Sequence, residues 1–136
     1  TDNIEIKSWV SHEELVELYA HCKGLITTAH DEDFGMNVVE AMASGKPVIA
    51  PDEGGYRETI VHGQTGILIP DIEENKLRDA ILELKKELDV NPAKYREACQ
   101  ARASRFGAGV FIEKMKKEIG LSLGAMCQGG STHAKE

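Results

Sequence analysis

Short apolar runs and amphipathic segments take turns along the chain. Residues 4–10 alternate apolar and polar side chains, the two-residue period of a strand. Ser11 then opens a helix. It is a natural N-cap, Glu14 completes a capping box three residues later, and Leu15, Leu18, Tyr19 and Cys22 follow at helical spacing. Gly24 ends that helix, and residues 25–29 predict a second strand. Residues 30–34 read as a polar loop. A helix is predicted over 36–44, closed by Gly45 at its C′ position with Pro47 just beyond.

The alternation continues. Residues 47–50 form a short buried-type strand, and residues 51–55 are rich in turn formers. A short helix covers 56–61, Gly63 and Gly66 bracket a turn, and 67–69 is the last strand, stopped by Pro70 and Asp71. The character then changes to helices alone. Leu77, Ile81, Leu84 and Leu88 mark an amphipathic helix over 73–88. Pro92 suits the first turn of another, running to Arg105, and a final helix spans 108–119. Residues 121–136 are small and polar and predict a disordered tail. Strand–helix alternation of this kind predicts an α/β fold, a Rossmann-like parallel sheet with flanking helices. Four strands are few for such a sheet, and the first lacks a Gly-rich turn. We therefore expect residues 1–120 to be part of a larger domain.

Composition narrows the class. With 41% hydrophobic and 29% charged residues among 136, this is the profile of one soluble globular domain. The net charge of −7 and the absence of a Lys/Arg run make a nucleic-acid backbone or an anionic membrane a poor partner. No apolar stretch approaches the ~20 residues of a membrane span, and no leader peptide is expected at the start. Cys22, Cys99 and Cys127 are widely spaced and form no CxxC pair, so neither a disulfide framework nor a zinc cage is expected. A reducing cytoplasmic compartment is the simple reading. The histidines show no metal-ligand spacing, so no metal site is assigned.

In an open parallel sheet ligands bind at the carboxyl ends of the strands. The loop after the second strand runs His30, Asp31, Glu32, Asp33, Phe34, Gly35, Met36, Asn37, and a helix follows. Gly35 permits close approach of a ligand to the backbone. A helix N-terminus leaves about four N–H groups free and carries roughly half a positive charge, which suits phosphate. The neighbouring carboxylates repel phosphate, so they must face hydroxyls instead. Glu40 lies about one turn into the helix and leans back toward its N-terminus, within reach of a ribose diol. Glu32 precedes the helix and can reach a sugar beyond the phosphates. Hydroxyls at both ends with phosphate between describe a nucleotide-sugar. Taken singly, each acid is better explained as stabilising the helix N-terminus by ~0.3–1 kcal/mol, and Asp31 and Asp33 are read that way.

The run from Glu32 through Phe34, Gly35, Glu40, Ala41, Met42 and Ala43 to Pro47, Val48, Ile49 and Ala50 resembles the signature of retaining glycosyltransferases of GT-B fold, family 4. Gly54-Gly55-Tyr56-Arg57-Glu58 and Gly63-Gln64-Thr65-Gly66-Ile67-Leu68 match the family's next two landmarks in order and spacing. The resemblance covers residues 4–119 and implies the C-terminal, donor-binding domain of such an enzyme. By that resemblance Glu32 is the catalytic-site carboxylate that contacts donor-sugar hydroxyls. Phe34, Gly35, Met36 and Asn37 hold the distal phosphate and sugar through backbone amides. Glu40 binds ribose, and Val10 and Ser11 lie by the nucleobase. Gly54 and Gly55 are structural, and Glu58 orients a helix. No cofactor or metal is implied beyond the donor. The donor is GDP-mannose by likeness to mannosyltransferases of polysaccharide assembly. The acceptor, a glycan or lipid-linked sugar, would be met through an N-terminal domain outside these residues. The family's basic Arg and Lys pair also lies upstream, so the chain alone is expected to be inactive. The longer protein is expected in the cytoplasm, able to sit peripherally at a membrane. Two other readings compete: a nucleotide-sugar-binding module without catalysis, and a receiver-like phospho-acceptor domain built on Asp31, Glu32, Asp33 and Asp52. The second lacks the lysine it needs after residues 67–69.

Overall fold

The structure is a computed structural model that describes residues 3–128, with the helix backbone alone over residues 121–128. Two compact units divide the chain, Thr1–Ser104 and Arg105–Glu136.

In the first unit three strands, β1 (Leu25–Ile26), β2 (Val48–Pro51) and β3 (Gly66–Ile69), form a parallel sheet in chain order. Helix α1 (His12–His21) precedes β1, α2 (Met36–Ala43) links β1 to β2, and α3 (Tyr56–Thr59) links β2 to β3. Helices α4 (Glu74–Val90) and α5 (Arg96–Ala103) follow. β2 is central and buried along its whole length, as its unbroken apolar run requires of a strand covered on both faces. Val48 pairs with Leu25 on one side and Gly66 on the other. A Cβ on Gly66 would sit 1.9 Å from the Val48 carbonyl oxygen, so only glycine lets β3 approach in this register. The amide of Thr27 continues the β1 ladder onto the Ile49 carbonyl at 3.0 Å.

The helices close the core. Val38, Ala41 and Met42 bury one face of α2, with α5 packed beside it through Cys99 and Ala103. Ala80, Leu84 and Leu88 bury one face of α4, which packs on β3. Arg102 of α5 reaches back to the end of α3, where its Nε donates to the Thr59 carbonyl at 3.0 Å and its second guanidinium arm donates to that of Glu58. In the second unit, α6 (Ala108–Gln128) is the long element.

Four expectations change. Residues 4–10 are not a strand. Ile4 and Ile6 are 67% and 90% exposed, and the described residues place no strand beside them. Alternation supplies an apolar face, but a strand also needs a hydrogen-bonding neighbour. The sheet accordingly has three strands among the described residues. The capping box at Ser11 is half made: Ser11 Oγ accepts from the Glu14 amide at 3.2 Å, while the Glu14 carboxylate takes Lys7 Nζ at 2.8 Å. Pro92 does not open α5. Asn91 Oδ1 accepts from the Ala93 amide at 3.1 Å and the Asn91 carbonyl from Lys94 at 3.0 Å, a turn that delays the helix to Arg96. Helix α6 runs to Gln128 rather than ending at Ile119, since Leu, Ala and Met keep that stretch helix-competent. Of the expected disordered tail, residues 129–136 lie outside the described residues.

Candidate functional site

The loop between β1 and α2 is held from below by a buried pair. Thr27 Oγ1 and Tyr56 Oη lie 3.0 Å apart, joining the end of β1 to the start of α3. Above it, Asp31 adopts a left-handed conformation at φ 56°. Its amide and His30 Nδ1 both meet Glu53 Oε1, at 3.1 and 2.9 Å. The loop after β2 then closes against this one, backbone to backbone. The Gly55 amide donates to the Glu32 carbonyl at 2.8 Å. A Cβ at Gly54 would lie 2.6 Å from the Glu32 carbonyl oxygen, and one at Gly55 2.3 Å from that of Asp33. Both glycines are therefore structural, as the sequence implies.

Glu32 faces inward. Its Oε1 accepts from the amides of Gly35 at 3.1 Å and Phe34 at 3.4 Å. Two of the amides expected to hold an anion thus already hold one, the carboxylate of the residue expected to meet the sugar. The occupant of these amides is a carboxylate of the chain itself. Gly35 caps α2 in the left-handed region at φ 75°, with the Tyr56 ring 3.1 Å from where a Cβ would be. No side chain caps α2 at that residue. Among the described residues no hydrogen-bond acceptor is placed for the amides of Met36 and Asn37, whereas that of Val38 is shared by the Gly35 carbonyl at 3.0 Å and Asn37 Oδ1 at 2.9 Å. Asn37 thus directs its side chain to the helix's own first turn, and its amide remains available.

Glu40 stands one turn further along α2, on the exposed side. Tyr19 of α1 donates its hydroxyl to Glu40 Oε2 at 3.2 Å and lies 3.4 Å from the Asn37 carbonyl oxygen. Burial first, and the Glu40 charge second, push the Tyr19 phenol up to about 12. Val10 and Ser11 sit at the far end of α1. Ser11 is eight residues from Tyr19, about 12 Å along a helix, and it serves as the N-cap. The structure therefore brings Glu32, Phe34, Gly35, Met36, Asn37 and Glu40 together around one helix end, while Val10 and Ser11 lie at the start of α1.

Tyr19 and Glu53 escaped the sequence reading. Tyr19 fell within an apolar stripe, and its signal was the hydroxyl that a half-buried tyrosine must satisfy. Glu53 lay hidden among turn formers. The acids of the two loops do not converge. Glu32 faces amides, Glu53 faces His30, and Asp52 pairs with Arg57 at 2.8 Å. Among the described residues no group of three acidic, histidine or cysteine side chains is placed to hold a metal ion, which removes the geometric basis of a receiver-like magnesium pocket.

A cavity of about 400 Å³ lies elsewhere, among Lys23, Lys46, Leu88, Tyr95 and Arg96. Both of its lysines answer local groups. Lys46 Nζ donates to the Ala20 carbonyl at 2.9 Å in the last turn of α1, and Lys23 pairs with Asp89 at 3.2 Å. The α2 terminus is the better candidate for chemistry.

Residues 1–106 match the family model described as glycosyl transferases group 1. The chain is 42% identical over 95 residues to a GDP-mannose-dependent alpha-mannosyltransferase of Mycobacterium tuberculosis, covering 69% of this chain and 24% of that protein. Sucrose-phosphate synthase from Thermosynechococcus elongatus superimposes with a TM-score of 0.76 at 27% identity, over 91% of this chain and 31% of that one. Anabaena HepE, solved in complex with UDP-glucose, gives a TM-score of 0.66 at 33% identity, over 78% and 29%. The chain spans about a quarter of the length of the curated relatives it matches. The three-stranded parallel sheet with its helices thus corresponds to part of a GT-B domain. No helix among the described residues is long and apolar enough to cross a membrane.

Proposed function

Because the chain belongs to the glycosyl transferases group 1 family, we propose that it forms the donor-binding part of a family 4 enzyme. That enzyme transfers mannose from GDP-mannose to a glycan or lipid-linked acceptor with retention of configuration. The observation that carries this reading is the N-terminus of α2, where, among the described residues, the Met36 and Asn37 amides lack an acceptor between Glu32 and Glu40. The distal phosphate would sit on those amides. Glu40 would accept from the ribose diol and Glu32 from sugar hydroxyls, after leaving the amides of Phe34 and Gly35. As the glycosidic bond to diphosphate breaks, negative charge grows on the departing oxygen and oxocarbenium character on the sugar. A preorganised helix terminus stabilises the first without reorganising.

Mannose is favoured by the Mycobacterium tuberculosis relative, named for its dependence on GDP-mannose. HepE, solved with UDP-glucose, makes the alternative donor concrete. Ligand-observed NMR on the chain with GDP-mannose and UDP-glucose in competition tests the assignment. GDP-mannose should displace UDP-glucose, and the reverse order would remove mannose from the proposal. The chain alone should transfer no sugar, because the cations that neutralise the diphosphate and the acceptor site would come from the rest of a longer protein. Detectable transfer to any acceptor by the chain in isolation would overturn that part.

A further inference from the structure

Tyr19 belongs to a helix that the donor-binding reading otherwise leaves without a role at the α2 terminus. We infer that its hydroxyl is a positioning group for Glu40, holding one carboxylate oxygen so that the other is aimed at ligand hydroxyls, and thereby sets the preference for a ribonucleotide. The inference rests on the reading of Glu40 as the ribose ligand.

Three observations carry it. Glu40 is exposed, and its side chain has three rotatable bonds whose freedom must be given up on binding. Among the described residues one side-chain hydrogen bond restrains it, from Tyr19 Oη to Oε2 at 3.2 Å. Among those residues Oε1 has no partner. The same hydroxyl lies 3.4 Å from the Asn37 carbonyl oxygen, so it also ties α1 to the first turn of α2, where the unpartnered amides are. The ring beneath the hydroxyl packs against the core, which gives the phenol a rigid base. With its ionisation pushed up to about 12, the phenol keeps its proton at ordinary pH. It can then donate to the Glu40 carboxylate rather than face it as an anion.

A merely structural Tyr19 would hold α1 against α2 and affect every ligand alike. A positioning Tyr19 affects only ligands with ribose hydroxyls. Tyr19→Phe keeps the ring and removes the hydroxyl. Titrations of the full chain with GDP and with 2′,3′-dideoxy-GDP, followed by amide NMR shifts, separate the two roles. We expect the wild type to prefer GDP over the dideoxy form. Tyr19→Phe should weaken GDP roughly three- to tenfold, the worth of one hydrogen bond, and leave the dideoxy form within about twofold. Glu40→Asp, which retracts the carboxylate from the hydroxyl, should do the same. Glu40→Ala, which removes both acceptor oxygens, should erase the preference, and adding Tyr19→Phe to it should change nothing further. Equal weakening of both nucleotides by Tyr19→Phe, or no weakening, overturns the role of Tyr19 while the Glu40 reading survives. A ribose preference unchanged in Glu40→Ala, or absent from the wild type, overturns the Glu40 reading and this inference with it.

Discussion

Glu32 presents two acceptors to its surroundings. Its carbonyl takes the Gly55 amide and its carboxylate takes those of Gly35 and Phe34. Removing the carboxylate takes an acceptor away from two partly buried amides. Glu32→Ala should therefore lower stability by about 0.5–2 kcal/mol, as for loss of an N-cap side chain. Glu32→Gln, which keeps an acceptor oxygen, should lose less than half of that in urea denaturation. Gly35 and Gly63 make a second comparison. Both have φ near +75°, yet a Cβ at Gly35 meets the Tyr56 ring at 3.1 Å and one at Gly63 meets nothing within 4 Å. Alanine at Gly63 should cost only the left-handed strain, about 1–2 kcal/mol. At Gly35 the ring contact adds to it, so Gly35→Ala should melt at the lower temperature of the two.

At the level of elements, α3 is a single turn of four residues, too short to hold itself. It is fastened at both ends: Gly55 packs on the Asp33 backbone, and Arg102 takes the carbonyls of Thr59 and Glu58. Arg102→Met keeps the aliphatic stem and removes the donors. It should cost roughly 1–3 kcal/mol and speed amide exchange at Ile60 more than in β2. Equal acceleration everywhere would mean that Arg102 acts on the whole core instead. The elements that the sequence specifies by itself are those with long, clean periodicity. Helix α4 carries Leu77, Leu84 and Leu88 on its inner face, and α2 runs into Gly45 as a left-handed stop at φ 75°. Residues 4–10 mislead because a period of two states a face, not a partner. Pro92 misleads because its neighbour Asn91 makes turn bonds that outcompete the first turn of a helix.

For the molecule as a whole, alkaline pH is a stringent probe. Tyr19 ionises near 10.0 when exposed and near 12 in the folded chain, chiefly because it is partly buried and then because Glu40 faces it. Tyr95, partly buried and bonded to Glu87, is pushed up further still. Below pH 10 both states keep these protons and the contribution is intact. Above it the unfolded chain loses them first, so unfolding releases protons and stability falls as pH rises toward and past 12. The urea midpoint should be flat to about pH 9 and drop between pH 10 and 12, with a shallower drop in Tyr19→Phe. A midpoint independent of pH through that window would mean that neither phenol is held as the structure shows.

Membership of the glycosyl transferases group 1 family agrees with the motif that runs from Glu32 to Ala50. That motif, the α/β alternation and the glycines at 35, 54, 55 and 66 are decided by the sequence alone. Periodicity, turn chemistry and the need for a residue without a Cβ are properties of neighbours along the chain. Which group satisfies which is decided only by the tertiary structure. Tyr19 reaches Glu40 across 21 positions, Glu53 reaches His30 across 23, and Arg102 reaches Thr59 across 43. No local pattern encodes such pairings. Glu53 meets His30 because a parallel sheet returns its strands to the same edge, whereas the other two pairings join helices, α1 to α2 and α5 to α3.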